Sequence, residues 1–218
     1  FEAGALFVGE LMFGRGALSP AAFAEAVDVE HPPGTHWAYS TGTSMIVAAI
    51  AGRAMGEDER DRLEFMRREL FLPLGMKTVV PEFDSAGQFM GGGFVHASAE
   101  DWARFGYLYL RDGIWEDRRI LPEGWVDYSR TPAAVDNNGV HGAHLWVNAP
   151  PAEGQWKLLP GAPASSFSAE GSELQAVIMV PTCDLVVVRL GALQASDYDV
   201  NRRRLGRLIA SFPPLGLR

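Results

Sequence analysis

The chain has 218 residues, of which 47% are hydrophobic, 11% aromatic and 21% charged, and its 27 acidic against 19 basic side chains give a net charge of −8. This excludes a disordered tail, a collagen-like repeat and a disulfide-stapled miniprotein, and leaves enough apolar material for one core or two small ones. The acidic balance argues against a sequence-independent grip on nucleic acid or anionic lipid.

A lone cysteine, Cys183, rules out an internal disulfide and a thiolate metal cluster. The longest apolar run, Met45 to Ala51, is far shorter than the roughly 20 residues that span a bilayer. The first residue is Phe1 rather than Met, so further residues are expected upstream.

In chain order, the first two thirds read as helix and loop. After the turn residues His31, Pro32, Pro33 and Gly34, an apolar helix is predicted from Thr43 to Met55, stopping at Gly56. Glu59 to Phe71 is predicted as an amphipathic helix, with Leu63, Met66, Leu70 and Phe71 at helical spacing and Pro73 beyond its end. Ser98 and Asp101 read as a capping box that opens a helix from Ala99 to Asp112, ended by Gly113. Pro122 is placed to begin a short fourth helix. Ala149 to Ser166, rich in Pro, Ala and Gly, reads as a loop inside one domain.

The last third changes character. His144 to Asn148 is a candidate strand. Ala176 to Val180 and Leu185 to Leu190, joined by Pro181-Thr182-Cys183-Asp184, read as a hairpin. Asp199 to Ala210 reads as a closing helix in which Leu205, Leu208 and Ile209 share a face and the arginines face water. Helices followed by an antiparallel sheet and a terminal helix argue an α+β fold.

Common chemical motifs are absent: there is no phosphate loop, dinucleotide fingerprint or His-Glu-x-x-His pair. His141 and His144 are the closest histidine pair and have no third ligand nearby in sequence, so no metal site is expected. Gly42-Thr43-Ser44-Met45-Ile46 fails as a nucleophile elbow because its last position is not glycine. Arg202, Arg203 and Arg204 read as a solvated helix face.

The informative segment is His31-Pro-Pro-Gly-Thr-His-Trp-Ala-Tyr39-Ser40-Thr41-Gly42. With it go Leu72-Pro-Leu-Gly-Met76, Gly91-Gly-Gly-Phe-Val-His-Ala-Ser-Ala-Glu-Asp-Trp-Ala-Arg-Phe-Gly106, Arg119-Ile-Leu-Pro-Glu-Gly-Trp125 and Phe167-Ser-Ala-Glu-Gly-Ser-Glu-Leu-Gln175. As an ensemble they resemble the serine β-lactamase and penicillin-binding-protein-like hydrolases, in the class C and esterase branch that includes 6-aminohexanoate-dimer hydrolases. The resemblance covers nearly the whole chain. It implies a β-lactamase/DD-peptidase-like α+β fold in one domain over 1–218, with a helical region about 1–135 and a sheet with closing helix about 140–215.

What the resemblance implies is acyl transfer. In that family a serine of a Ser-x-x-Lys motif attacks a carbonyl, the lysine and the tyrosine of a Tyr-x-Asn motif move protons, and backbone N–H groups bind the oxyanion. A phenol ionises near pH 10 in water, so ionising one at pH 7 costs roughly 4 kcal/mol unless cationic neighbours help. The tyrosine matches Tyr39, and the third motif position is Thr41, whose hydroxyl can donate and accept but lacks an amide's two separate groups. A competing reading makes Tyr39 a buried aromatic with a satisfied hydroxyl. The branch commonly carries Gly-His-x-Gly-Gln on the strand that lines the site, where this chain has Gly171-Ser172-Glu173-Leu174-Gln175. Gly171 and Ser172 are therefore the candidate oxyanion-binding residues, and Leu174 stands where a glycine is usual. Gly91, Gly92 and Gly93 are candidates to border the pocket.

No Ser-x-x-Lys occurs. The only lysines are Lys77 and Lys157, and the residues three positions before them are Leu74 and Gly154. Three expectations follow: an enzyme fragment lacking the N-terminal nucleophile part, a catalytically inactive ligand-binding module, or a remnant with an open sheet edge. The implied partner is a small-molecule amide or ester, with β-lactams, D-peptides, nylon oligomers and simple esters all allowed. No cofactor, nucleic acid, membrane span or particular oligomeric state is implied.

Overall fold

The computed structural model describes residues 2–135, 139–149 and 158–216. The chain divides into two compact units, Phe1–Ser98 and Ala99–Arg218.

The first unit is mainly helical: α1 (Glu2–Phe13), α2 (Pro20–Glu25), α3 (Thr41–Met55) and α4 (Glu59–Met66), with a short antiparallel pair β1 (Val80–Pro81) and β2 (Val95–His96). The helix at 43–55 starts two residues earlier than predicted, because the Ser40 side chain accepts the Thr43 N–H at 3.3 Å and caps the extra turn. It ends, as read, at Gly56. The predicted Glu59–Phe71 helix has the expected extent, but its last five residues, Arg67–Phe71, widen into a π turn, with the Leu72 N–H reaching back to the Arg67 carbonyl at 2.8 Å. Leu11, Ala21, Ala24, Met45 and Ala49 form the core of this unit, with Phe7, Phe23 and Ile46 packed around them.

Arg62 is buried, yet it has three oxygen partners: it donates to the carbonyls of Gly52 (3.3 Å), Glu57 (3.1 Å) and Gly87 (2.7 Å). A desolvated guanidinium is tolerable there because it neutralises carbonyls at the C-terminal end of α3 and in two loops.

The second unit contains α5 (Ala99–Leu110), the small hairpin β3 (Ile114–Trp115) and β4 (Arg118–Arg119), α6 (Trp125–Arg130), strands β5 (Trp146–Val147), β6 (Phe167–Glu170), β7 (Ala176–Val180) and β8 (Leu185–Arg189), and α7 (Tyr198–Ala210). The larger sheet is antiparallel in the order β5-β6-β7-β8. All five residues of β7 are buried. Alternate side chains explain why: Ala176, Ile178 and Val180 pack with Leu158, Leu159 and Ile209 of α7, while Val177 and Met179 pack with Phe167, Leu145 and Val126. A strand covered on both faces reads as a continuous apolar run, which is how the Ala-Val-Ile-Met-Val segment looks in sequence.

Several readings are corrected here. The fourth helix begins at Trp125 rather than Pro122, because Pro122 opens a turn whose carbonyl accepts the Trp125 N–H. The 144–148 strand is only Trp146–Val147. Asn148 turns inward, fully buried, and its amide bonds the backbone of Leu159, Ala162 and Pro163. In α7 Leu208 is 50% exposed and does not share the buried face, and Arg202 does not face water. Of the predicted loop at 149–166, residues 150–157, with Gly154 and Lys157 among them, lie outside the described residues.

Candidate active site

In the first unit the structure places Tyr39 and Thr41 on either side of the Ser40 cap of α3. Tyr39 is 63% exposed, which removes the reading of a core aromatic. Thr41 opens the helix and is half-buried. Its position is set by Met45, one turn on, which is anchored in the core at 2% exposure. The backbone dipoles of α3 give this end a partial positive charge, the sign that favours an anion beside it.

The glycine run packs against that same helix end. A Cβ on Gly92 would come within 2.6 Å of the Thr41 Cγ2 and 3.0 Å of the Met45 Cε, and one on Gly91 within 2.4 Å of the Ala48 Cβ. Any side chain would therefore push the loop off α3. Gly93 meets nothing. Two of the three glycines thus serve the close approach of backbone to α3.

In the second unit Gly171 and Ser172 lie where β6 ends. The expected strand through 171–175 is not formed. Ser172–Leu174 is instead a single tight turn joining β6 to β7. The Gly171 N–H is committed to the Gln175 carbonyl at 2.8 Å, and the Gln175 N–H to Ser172 O at 3.3 Å. The Ser172 N–H has no intrachain acceptor among the described residues, so of the two candidates it is the one with a donor to offer.

The residues that hold this turn were not legible as site residues. Glu173 and Leu174 both adopt left-handed backbone, with φ of 58° and 61°. Arg189 Nη1 donates to the carbonyls of Glu173 (3.3 Å), Leu174 (3.0 Å) and Gly191 (2.8 Å), and so ties the turn to the end of β8. On the other side of Gly171, Glu170 accepts from Arg202 Nη1 at 3.1 Å and Nη2 at 2.7 Å and from the Ser168 hydroxyl at 3.1 Å. This pair is largely buried, at 12% and 9% exposure. A signal for it existed: Arg202 precedes the buried Gly206 and Ile209 by four and seven residues, the spacing of a buried helix face.

His141 and His144 do not gather a third ligand, and among the described residues no three His, Cys, Asp or Glu side chains are grouped to hold a metal. The His141 ring instead packs edge-on against Trp146, centroids 4.7 Å apart. Burial, and secondarily the neighbouring His144, lowers its pKa below the ordinary imidazole value.

The first unit has an exposed phenol and a hydroxyl at the N-terminus of α3. The second has, at the braced turn after β6, a Ser172 N–H with no intrachain acceptor among the described residues. The family model described as Beta-lactamase matches residues 12–211. No curated protein matches the chain. Among the solved structures similar to this chain are three. A protein described as a beta-lactamase from Bacteroides dorei DSM 17855 is 19% identical, with a TM-score of 0.59, over 82% of this chain and 58% of that one. One described as a 6-aminohexanoate-dimer hydrolase from Bacillus anthracis is 18% identical, with a TM-score of 0.65, over 87% and 48%. A beta-lactamase from Mycobacterium bovis is 18% identical, with a TM-score of 0.62, over 84% and 65%. The chain thus spans about half to two thirds of the length of these structures, and at such identities they establish the α+β fold. Since the matched span takes in the tyrosine segment, the glycine loop and the whole β5–β8 sheet, the chain belongs to the serine beta-lactamase-like family.

Proposed function

We propose that these 218 residues are part of a serine hydrolase that cleaves an amide or ester bond of a small molecule through an acyl-enzyme. Tyr39 is the proton-relay phenol, Thr41 a hydroxyl that contacts substrate, and the Gly171–Ser172 turn contributes an oxyanion donor through the Ser172 N–H. The observation that carries this reading is the exposed Tyr39 beside the cap of a helix whose next turn is anchored in the core. An aromatic side chain held at such a place, on a rigid element but open to solvent, is available to a substrate.

The attacking serine is not among these residues, since neither lysine follows a serine at the required spacing. In the reaction, that serine's Oγ bonds to the substrate carbonyl carbon while its proton passes to the lysine–tyrosine relay. The carbonyl oxygen becomes an oxyanion held by backbone donors, and the leaving amine or alcohol takes the proton back as its bond to carbon breaks. Water then repeats the sequence to release the acid.

Two measurements test this. The 218-residue chain alone should not be labelled by a fluorophosphonate, because a missing nucleophile costs on the order of a millionfold. Stoichiometric labelling of any serine would overturn the assignment. Joined to a Ser-x-x-Lys segment, the chain should hydrolyse a chromogenic short-chain ester, and Tyr39→Phe should lower kcat by roughly a hundredfold or more. Full activity of that variant would remove Tyr39 from the mechanism.

A further inference from the structure

The turn that carries the Ser172 N–H is held from outside itself. Within it, the Gly171 N–H donates to the Gln175 carbonyl and the Gln175 N–H to the Ser172 carbonyl. Neither bond engages Glu173 or Leu174, the two residues in left-handed backbone. The carbonyls of those two instead accept from Arg189 Nη1, at 3.3 and 3.0 Å, and the same nitrogen donates to the Gly191 carbonyl at 2.8 Å. The Gly191 N–H in turn donates to Gln175 Oε1 at 3.3 Å. Arg189, the last residue of β8, lies opposite Ala176, the first of β7, so the register of the hairpin delivers the guanidinium to the turn.

We propose that Arg189 is a positioning residue for the reaction: by holding the 173 and 174 carbonyls to the sheet it fixes the direction of the Ser172 N–H. The inference rests on the hydrolase reading, in which that N–H is an oxyanion donor. Such a donor works by being preorganised, so a turn free to swing loses rate without losing substrate affinity. Left-handed residues that carry side chains relax unless their surroundings hold them. All three contacts of Arg189 fall on one nitrogen. A lysine ammonium, a point donor with three hydrogens, can imitate that, although it could not imitate a two-nitrogen fork. Glu173 and Gly191 are exposed, so water can take over their carbonyls when the guanidinium is removed, and the fold should survive the loss.

The test has two arms. By amide hydrogen exchange on the 218-residue chain, Arg189→Met should speed exchange at Gly171 and Gln175 by roughly tenfold or more, and leave Ile178 and Met179, in the middle of β7, unchanged, because only the turn opens. Arg189→Lys should restore most of that protection. Unchanged exchange at Gly171 and Gln175, or equal acceleration along β7, would overturn the clamp. In the chain joined to a Ser-x-x-Lys segment, Arg189→Met should lower kcat for the chromogenic ester by roughly a hundredfold, the cost of misplacing a catalytic group by about 1 Å, with KM unchanged. Arg189→Lys should recover most of the rate, and Arg203→Met, at an exposed arginine of α7, should alter neither constant. A turn that loses protection while kcat stays intact, or a rise in KM alone, would overturn the positioning role. If the joined protein hydrolyses no ester with Arg189 in place, the hydrolase reading fails instead, and the exchange measurement still decides whether Arg189 holds the turn.

Discussion

Leu174 is buried at 4% exposure while its backbone sits in the left-handed region, directly after Glu173 in the same conformation. That conformation costs a side-chain-bearing residue about 1–2 kcal/mol, and the leucine offsets it by burial, worth about 1.5–3 kcal/mol. The two effects separate by substitution. Leu174→Ala loses the burial but keeps the strain, and should destabilise by about 2–5 kcal/mol. Leu174→Gly loses the same side chain but relieves the strain, and should be about 1 kcal/mol more stable than the alanine variant. Urea unfolding of both checks this, and the usual order, alanine above glycine, would show the turn to be unstrained. Gly171 and Ser172 mark a turn in the sequence, but neither Glu173 nor Leu174 announces a left-handed backbone. It is imposed by β6 and β7 pairing in register up to Glu170 and Ala176, which leaves five residues to reverse the chain.

At the scale of elements, α7 is docked by a mixed contact, apolar through Ile209 and ionic through Arg202 and Glu170. A buried pair of this kind is costly to break from one side. Arg202→Met should destabilise by about 3–5 kcal/mol, since it strands the Glu170 carboxylate, and the double variant with Glu170→Met should recover most of that loss. A double-mutant cycle in urea measures the coupling, and independent, additive losses would mean the pair contributes nothing as a pair. The α7 boundaries were readable within a residue because its apolar positions recur locally. So was the β7–β8 hairpin, whose predicted strands agree with those observed except for Leu190. Arg202 was misjudged because three adjacent arginines look alike in sequence, and only the partner 32 residues away distinguishes the first of them.

For the whole molecule, the lowered pKa of His141 links stability to pH. The folded chain holds this imidazole neutral where the unfolded chain would protonate it, so the unfolded state binds more protons and stability falls as pH drops below the ordinary imidazole range of about 6.5. The urea midpoint should therefore decrease between about pH 7.5 and pH 5, and His141→Phe, which keeps a ring against Trp146, should flatten part of that decrease. An unchanged slope in the variant would assign the loss to other groups.

Family membership and the α+β class were both legible before any coordinates. The motif segments are short and contiguous, and the order of helical and alternating or continuous apolar patterns is a property of neighbouring residues. Helix ends at Gly56 and at Asp58, the cap of α4, belong to the same class, because capping is settled within three or four residues. The tertiary structure decided which glycines are packing contacts, that Gly171 spends its N–H on Gln175 while Ser172 does not, and that Arg202 is an internal cation. Each depends on a partner brought close by folding, and the free energy of such a contact is set by burial and distance, quantities that a linear order of residues does not contain.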